Sequence, residues 1–197
     1  MELTGEARIA ADRQSVWEAL NDPDVLKAAI PGCEELVKEG NDVFAAKVVL
    51  KIGPIKATFD GRVLLSEIDA PFGYVISGEG QGGVAGFAKG KARVRLDEED
   101  AQVTVLRYDV EADVGGKIAQ LGSRMLDSTA KRLSGEFFKT FADLVSARHE
   151  AGPGAPPAVL EVDQSPKSPA RFRAGRVGVG VLMLVGVILI FIYLANR

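Results

Sequence analysis

Residues 177–195 carry no charged side chain, and nothing else in the chain constrains its architecture so strongly. The run reads Val-Gly-Val-Gly-Val-Leu-Met-Leu-Val-Gly-Val-Ile-Leu-Ile-Phe-Ile-Tyr-Leu-Ala, long enough for a helix to cross a hydrocarbon core of roughly 30 Å. A helix buried in a soluble domain would show a polar stripe, and this run has none. Its glycines suit a membrane helix better than one in water. The competing reading is a greasy tail folded back on its own domain. Lys167, Arg171, Arg173 and Arg176 precede the run and only Arg197 follows it. The bias of basic residues toward the cytoplasm therefore predicts a single-pass C-terminal anchor, with the rest of the chain on the cytoplasmic face of the inner (cell) membrane.

Residues 151–176 are rich in proline, alanine and other small side chains, too poor in apolar bulk to fold alone. We read them as a tether with a mean reach of roughly 30 Å. Residues 1–150 are then one domain. The chain opens Glu-Leu-Thr-Gly-Glu-Ala-Arg-Ile from residue 2, an alternating strand pattern with no basic start before an apolar run, so no cleaved secretory signal is expected.

Composition excludes several functions. A net charge of -3 gives no polyanion-binding signature, so nucleic acid is not an expected partner. One histidine and one cysteine cannot build the usual zinc site, and no metal is expected. His149, between Arg148 and Glu150, reads as a surface residue at a helix end rather than as part of a Ser-His-Asp triad. Cys33 is either a reactive thiol or, more simply, a small buried hydrophobe. No catalytic residue is assigned.

Periodicity divides the domain. Asp12 looks like the N-cap of a short helix through Val16, Trp17 and Leu20, with Trp17 in the core, and Asp22-Pro23 starts a second that Pro31-Gly32 ends. Five or six strands should follow, with turns at Gly40-Asn41-Asp42, Gly53-Pro54, Ala70 to Gly73 and Glu98-Glu99-Asp100, forming an antiparallel meander. A long amphipathic helix is expected from about residue 116 to 148, with Ile118, Leu121, Met125, Leu133, Phe137, Phe141 and Leu144 on its apolar side. The fold class is thus α+β, with an antiparallel sheet wrapped on this last helix and a transmembrane helix beyond.

Strand parity assigns the face that meets the helix. Lys47 and Lys51 mark the wet side of one strand, sending Phe44, Ala46, Val48, Leu50 and Ile52 inward. In the next, Ile55, Ala57, Phe59, Gly61, Val63 and Leu65 point in. Lys89, Lys91, Arg93 and Arg95 share a parity, leaving Gly86, Ala88, Gly90, Ala92 and Val94 on the other. Ile76, Gly78 and Gly80 from the neighbouring strand, and Leu106, Tyr108 and Val110 from the last, complete the face. Its centre is glycine and alanine where a packed core would carry bulk. Either the helix approaches very closely or a hollow remains, and we expect a hollow that holds a hydrophobic ligand. Its lining would be Phe44, Val48, Leu50, Phe59, Val63, Ile76, Gly78, Ala88, Gly90, Ala92 and Leu106 with Ile118, Leu121 and Met125. Tyr108, Thr129 and either Ser77 or Thr104 would be its few polar groups.

Two patterns have simpler readings. Gly78, Gly80 and Gly83 fit Gly-x-Gly-x-x-Gly, but strands lie on both sides, so they read as a cavity lip rather than a nucleotide loop. The outward basic row of Lys89, Lys91, Arg93 and Arg95 faces Arg107, Asp109 and Glu111; cross-strand pairing explains most of it, and a docking patch for an acidic partner is the alternative.

The order of elements resembles the helix-grip fold of START and Bet v 1-like (SRPBCC) proteins. Four segments, Ile-Pro-Gly-Cys-Glu-Glu-Leu from residue 30, Gly-Pro-Ile-Lys-Ala-Thr-Phe-Asp-Gly from 53, Gly-Gly-Val-Ala-Gly-Phe-Ala-Lys-Gly from 82 and Gly-Lys-Ile-Ala-Gln-Leu-Gly-Ser-Arg from 116, resemble the CoxG family, named for the CoxG subunit of carbon monoxide dehydrogenase, over about residues 1–145. The glycine loop at Gln81 to Gly86 is less glycine-rich here than in that family. The resemblance implies a non-enzymatic accessory subunit that recruits a soluble molybdenum hydroxylase of the carbon monoxide dehydrogenase type to the membrane and binds a respiratory quinone, menaquinone or ubiquinone, in an apolar cavity. The alternatives are a cyclase- or aromatase-like enzyme, or a general lipid carrier, of the same superfamily.

Overall fold

Strands dominate the chain because β-branched and aromatic residues alternate with charged ones over most of its first 115 positions. The structure, a computed structural model, describes residues 2–151. The tether and the membrane-spanning helix expected beyond them lie outside the described residues. Among the described residues no helix is long and apolar enough to cross a membrane.

β1 (Glu2–Ile9) leads into α1 (Arg13–Leu20) and α2 (Pro23–Ala29). β2 (Cys33–Lys38), β3 (Val43–Ile52), β4 (Ile55–Asp69), β5 (Gly73–Gln81), β6 (Phe87–Asp100) and β7 (Val103–Gly115) follow, and α3 (Ser123–Ala151) comes last. Six strands thus come after the helices, and all seven join one antiparallel sheet in the order β1-β7-β6-β5-β4-β3-β2. The Asp12 carboxylate accepts from the Ser15 amide to cap α1, and Asp22 accepts from the amides of Asp24 and Val25 to cap α2, whose first residue is Pro23.

Two boundaries differ from the sequence reading. The turn expected at Glu98 to Asp100 falls at Ala101-Gln102, because β6 pairs with β7 as far as Asp100↔Val103 across an irregular register. The final helix does not begin near residue 116. Gly116 and Gly122 hold positive φ angles of 84° and 80°, which a continuing helix cannot contain. Ile118–Leu121 forms a separate 3₁₀ turn between them, and α3 starts at Ser123. The buried stripe of α3 is therefore Leu126, Ala130, Leu133, Phe137, Phe141 and Val145, while Met125 stands at its margin.

The meander gives the sheet two unlike ends. β3, β5 and β7 run the same way, so the β3–β4 hairpin, the β5–β6 loop and the β7–α3 connection share one end. The β2–β3, β4–β5 and β6–β7 turns share the other, with α1, α2 and the last turn of α3. α3 crosses from the first end to the second. Its backbone neighbours are chiefly α2, β1, α1 and β3, with no comparable contact to β4, β5 or β6.

Candidate functional site

The inner face follows from strand parity, and the register places it as the sequence indicates. Phe44, Val48, Leu50, Phe59, Val63, Ile76, Ala88, Ala92 and Leu106 are all buried. With Ile118 they join Leu126, Leu133, Phe137 and Phe141 in one apolar cluster. Between them lies a patch of minimal side chains, because the cross-strand partners match: Gly61↔Gly80, Gly80↔Ala88, Gly78↔Gly90 and Gly90↔Ala112, bounded by Val63 opposite Gly78 and Ile76 opposite Ala92. Such a patch removes side-chain bulk where a sheet and helix would otherwise interdigitate.

Tyr108 is the one phenol among the predicted lining residues. It is buried, its ring stacks on Phe138 at 5.4 Å between centroids, and its hydroxyl fills the space over Gly5 of β1, where a side chain would collide with it. Burial raises its pKa, so the hydroxyl stays protonated and can donate. The Thr129 hydroxyl donates 2.9 Å to the Met125 carbonyl one helical turn back, which leaves only its lone pairs free. The other two polar candidates are corrected. Thr104 is inward, but its hydroxyl donates 2.8 Å to the Ala11 carbonyl and is committed to holding α1 against β7. Ser77 alternates with Ile76 and Gly78 and so belongs to the outer face.

The lining residues near the loop end differ from those deeper in. Ile55, Ala57, Val114 and Leu121 are half-buried, and Met125, expected as helix-face lining, is 39% exposed with its sulfur against Gly53 of the β3–β4 hairpin. Leu121 sits on the 3₁₀ turn rather than on α3, which is why it does not continue the helical stripe. The other two connections abut there: Gly86 and Gly116 touch backbone to backbone, and Phe59 lies over Gly82. Gly78, Gly80 and Gly83 lie on β5 and the loop after it, between two strands, which is not the strand-to-helix setting of a nucleotide loop. Leu126, Val114 and Phe138 were missed in the sequence; a helix starting at Ser123 rather than near residue 116 would have found Leu126.

No carboxylate expected in an enzyme of this fold turns inward. Asp60, Glu79 and Asp109 are exposed on the outer face. Asp127 on α3 has one carboxyl oxygen withdrawn from solvent without a hydrogen-bond partner, and desolvation raises its pKa while Lys131 opposes the rise. Cys33 is half-buried, its thiol pushed up to about 11 mainly by burial, which makes it inert rather than nucleophilic. His149 meets Gln102 at 2.7 Å and Asp12 at 3.4 Å, tying the end of α3 to the β6–β7 turn and the α1 cap. Among the described residues no cluster of potential metal ligands occurs.

The outer face is a charge ladder. Lys89 meets Asp113 at 3.6 Å, Lys91 and Arg93 share Glu67 at 3.5 and 3.1 Å, and Arg107 bridges Glu6 and Asp97. Three of the four basic residues of the row are thus paired, but with Asp113 and with Glu67 two strands away rather than with the Asp109 and Glu111 expected opposite them. A solvent-open groove of about 640 Å³ crosses this face, its floor being Gly78, Gly90 and Ala112.

A sheet of seven antiparallel strands gripped by a long C-terminal helix is the START/Bet v 1-like class, and solved structures agree. The protein resembles a conserved protein from Geobacillus kaustophilus at 31% identity, with a TM-score of 0.71, over 76% of this chain and 97% of that one. It also resembles the Zhui aromatase/cyclase from Streptomyces sp. R1128 (20% identity, TM-score 0.53, covering 77% and 98%) and Ara h 8.0201 (14%, 0.50, 75% and 99%). These last two establish the fold alone. Within that class, residues 5–146 match the profile of the carbon monoxide dehydrogenase CoxG family, and the chain belongs to that family. A comparison with curated protein sequences finds no match.

Proposed function

We propose that the protein is a non-enzymatic, membrane-anchored accessory subunit: the domain holds a respiratory quinone on its inner sheet face and brings a molybdenum hydroxylase of the carbon monoxide dehydrogenase type to the cytoplasmic side of the membrane. The observation that carries the ligand part is the in-register patch of glycine and alanine on β4 to β7, in a chain of the CoxG family. A flat, apolar, chain-bearing molecule suits a sheet face of glycine and alanine bordered by Val63 and Ile76. The outward placement of Asp60, Glu79 and Asp109 favours binding over acid-base catalysis. Residues 177–195 are the anchor in this reading and 151–176 the tether; the family name supports the choice of partner.

Mass spectrometry of an organic extract of the full chain, purified from its own membranes in mild detergent, tests the ligand. A quinone near one equivalent is expected. Protein that arrives empty and also refuses added menaquinone and ubiquinone would remove that part of the reading. Retention of the hydroxylase on the tagged full chain, and its loss from membranes when the chain is absent, tests the recruiting role.

A further inference from the structure

The loop end of the sheet combines exposed apolar side chains with unpaired cations, whereas Ile68 and Phe72, exposed at the opposite end, stand among acids. Val84, at the tip of the β5–β6 loop, is 88% exposed; Phe87 at the start of β6 and Met125 on the first turn of α3 are each 39% exposed. The contacts of Gly53 with Met125 and of Gly86 with Gly116 bring these connections together, so the three apolar side chains belong to one end of the molecule. Lys51 and Lys56 face each other across the β3–β4 hairpin, and Lys117 and Arg124 flank the 3₁₀ turn before α3. All four are exposed, and among the described residues none enters a salt bridge. Of the acids nearby, Asp113 is paired with Lys89, Asp60 lies opposite Lys47 in the register, and Asp127 lies within electrostatic range of Lys131. The opposite end is acidic instead, with Asp69, Glu98, Glu99 and Asp100 around its turns.

We infer that this end of the folded domain is itself a docking face for an anionic lipid bilayer, with Val84, Phe87 and Met125 entering the interface and Lys51, Lys56, Lys117 and Arg124 on the headgroups. Exposed apolar side chains ringed by unpaired cations complement a surface that is negative outside and apolar within, and each basic residue near such a surface strengthens binding by about fivefold. The half-buried Ile55, Ala57 and Leu121 place the accessible edge of the inner face at this same end, so docking would set it against the lipid.

Chain length permits this orientation. α3 spans about 43 Å at 1.5 Å per residue and leaves the chain at the acidic end, farthest from the docked face. Residues 152–176 must run back to the membrane, and 25 residues reach at most roughly 85 Å when extended. A linker of about a dozen residues would have forbidden it. The inference rests on the anchor reading for this geometry and on the quinone reading for its purpose, the passage of a ligand between bilayer and inner face.

The test uses the full chain reconstituted into vesicles, so that its C-terminal segment is present throughout. An environment-sensitive fluorophore is placed on Val84→Cys in a Cys33→Ser background, and on Gln102→Cys at the opposite end. In vesicles containing anionic lipid the label at position 84 should shift to the blue and be quenched by brominated acyl chains, and the label at 102 should not. The quadruple change Lys51→Glu, Lys56→Glu, Lys117→Glu and Arg124→Glu should abolish the signal at 84, while near-ultraviolet circular dichroism reports an unchanged fold. A label at 84 that stays in water, or one that behaves like the label at 102, would overturn the inference. Quinone content measured on the same preparations separates the two ideas: ligand without docking leaves the proposed function standing, and docking without ligand leaves only this face.

Discussion

The two ends of the sheet are held together by different physics. At the acidic end, polar side chains tie elements distant in sequence: Thr104 to Ala11, Arg148 to Asp22 at 2.6 Å, His149 to Gln102 and Asp12, and Arg13 to Glu98 at 2.8 Å. Two carboxylate caps fix the helices there. At the loop end the polar ties are fewer and longer, Arg132 reaching the Lys51 carbonyl at 3.5 Å and Lys89 meeting Asp113 at 3.6 Å, and the remaining contacts are a thioether on a glycine, glycine backbones touching, and an aromatic ring on a glycine. Directional bonds resist opening because breaking them strands polar groups, whereas glycine contacts with few apolar neighbours yield at low cost. The acidic end is therefore the more firmly braced of the two.

That contrast is broken first by deletion. Phe141 is fully buried where α3 passes the braced end, and Phe141→Ala should cost about 3–5 kcal/mol. Met125→Ala at the loop end removes a side chain already 39% exposed and should cost less than about 1 kcal/mol. Denaturant unfolding of the full chain in mild detergent compares them, and equal costs would mean that the loop end is packed as firmly as the core. Ala88→Leu sharpens the comparison between them. If the glycine and alanine patch bounds ligand space, the added carbons enter that space: stability should change by less than about 1 kcal/mol and bound quinone should fall at least about tenfold, or 1.4 kcal/mol. Destabilisation of about 1–3 kcal/mol with no effect on ligand would instead identify a filled core.

Much of this was legible in the sequence because strand parity is a strict rule. Lys47, Asp60, Lys91 and Arg107 each mark a wet position, and the period of two then fixes every neighbour, so the inward identity of Val48, Phe59, Ala92 and Leu106 followed without knowledge of pairing. The caps at Asp12 and Asp22-Pro23 were legible for a similar reason, since few other residues satisfy a helix's first amides. The start of α3 was not. Ile118, Leu121 and Met125 have helical spacing, and only the backbone shows that Gly116 and Gly122 adopt positive φ instead of helical angles. The hydroxyl of Thr104 was misassigned because parity gives a side chain's direction but not its partner, and the Ala11 carbonyl arrives from a part of the chain 93 positions away. Ser77 needed only parity, which assigns it outward beside Lys91. The clustering of Lys51, Lys56, Lys117 and Arg124 was invisible for the opposite reason, since two connections far apart in sequence converge on it.

The smallest effect belongs to the braced end and depends on pH. The Ser15 hydroxyl and then its amide bond the Asp12 carboxylate, with His149 adding a weaker attraction, and together they outweigh burial and hold its pKa below the ordinary 3.8. A carboxylate with a depressed folded-state pKa stabilises the fold fully above its unfolded value and loses that contribution as pH falls through the folded value. Asp12→Ala should therefore cost about 1 kcal/mol at pH 7, the usual worth of a helix cap, and progressively less below about pH 4. Asp12→Asn keeps a capping oxygen that cannot titrate, so at pH 7 it should fall between the parent and the alanine variant, with the Asp12 contribution to acid sensitivity removed. Met125→Ala is the control, because no ionisable partner of Met125 is described and its cost should stay flat across the same range. A cost for Asp12→Ala that does not shrink between pH 7 and pH 2.5 would show that the carboxylate's charge contributes nothing to the cap.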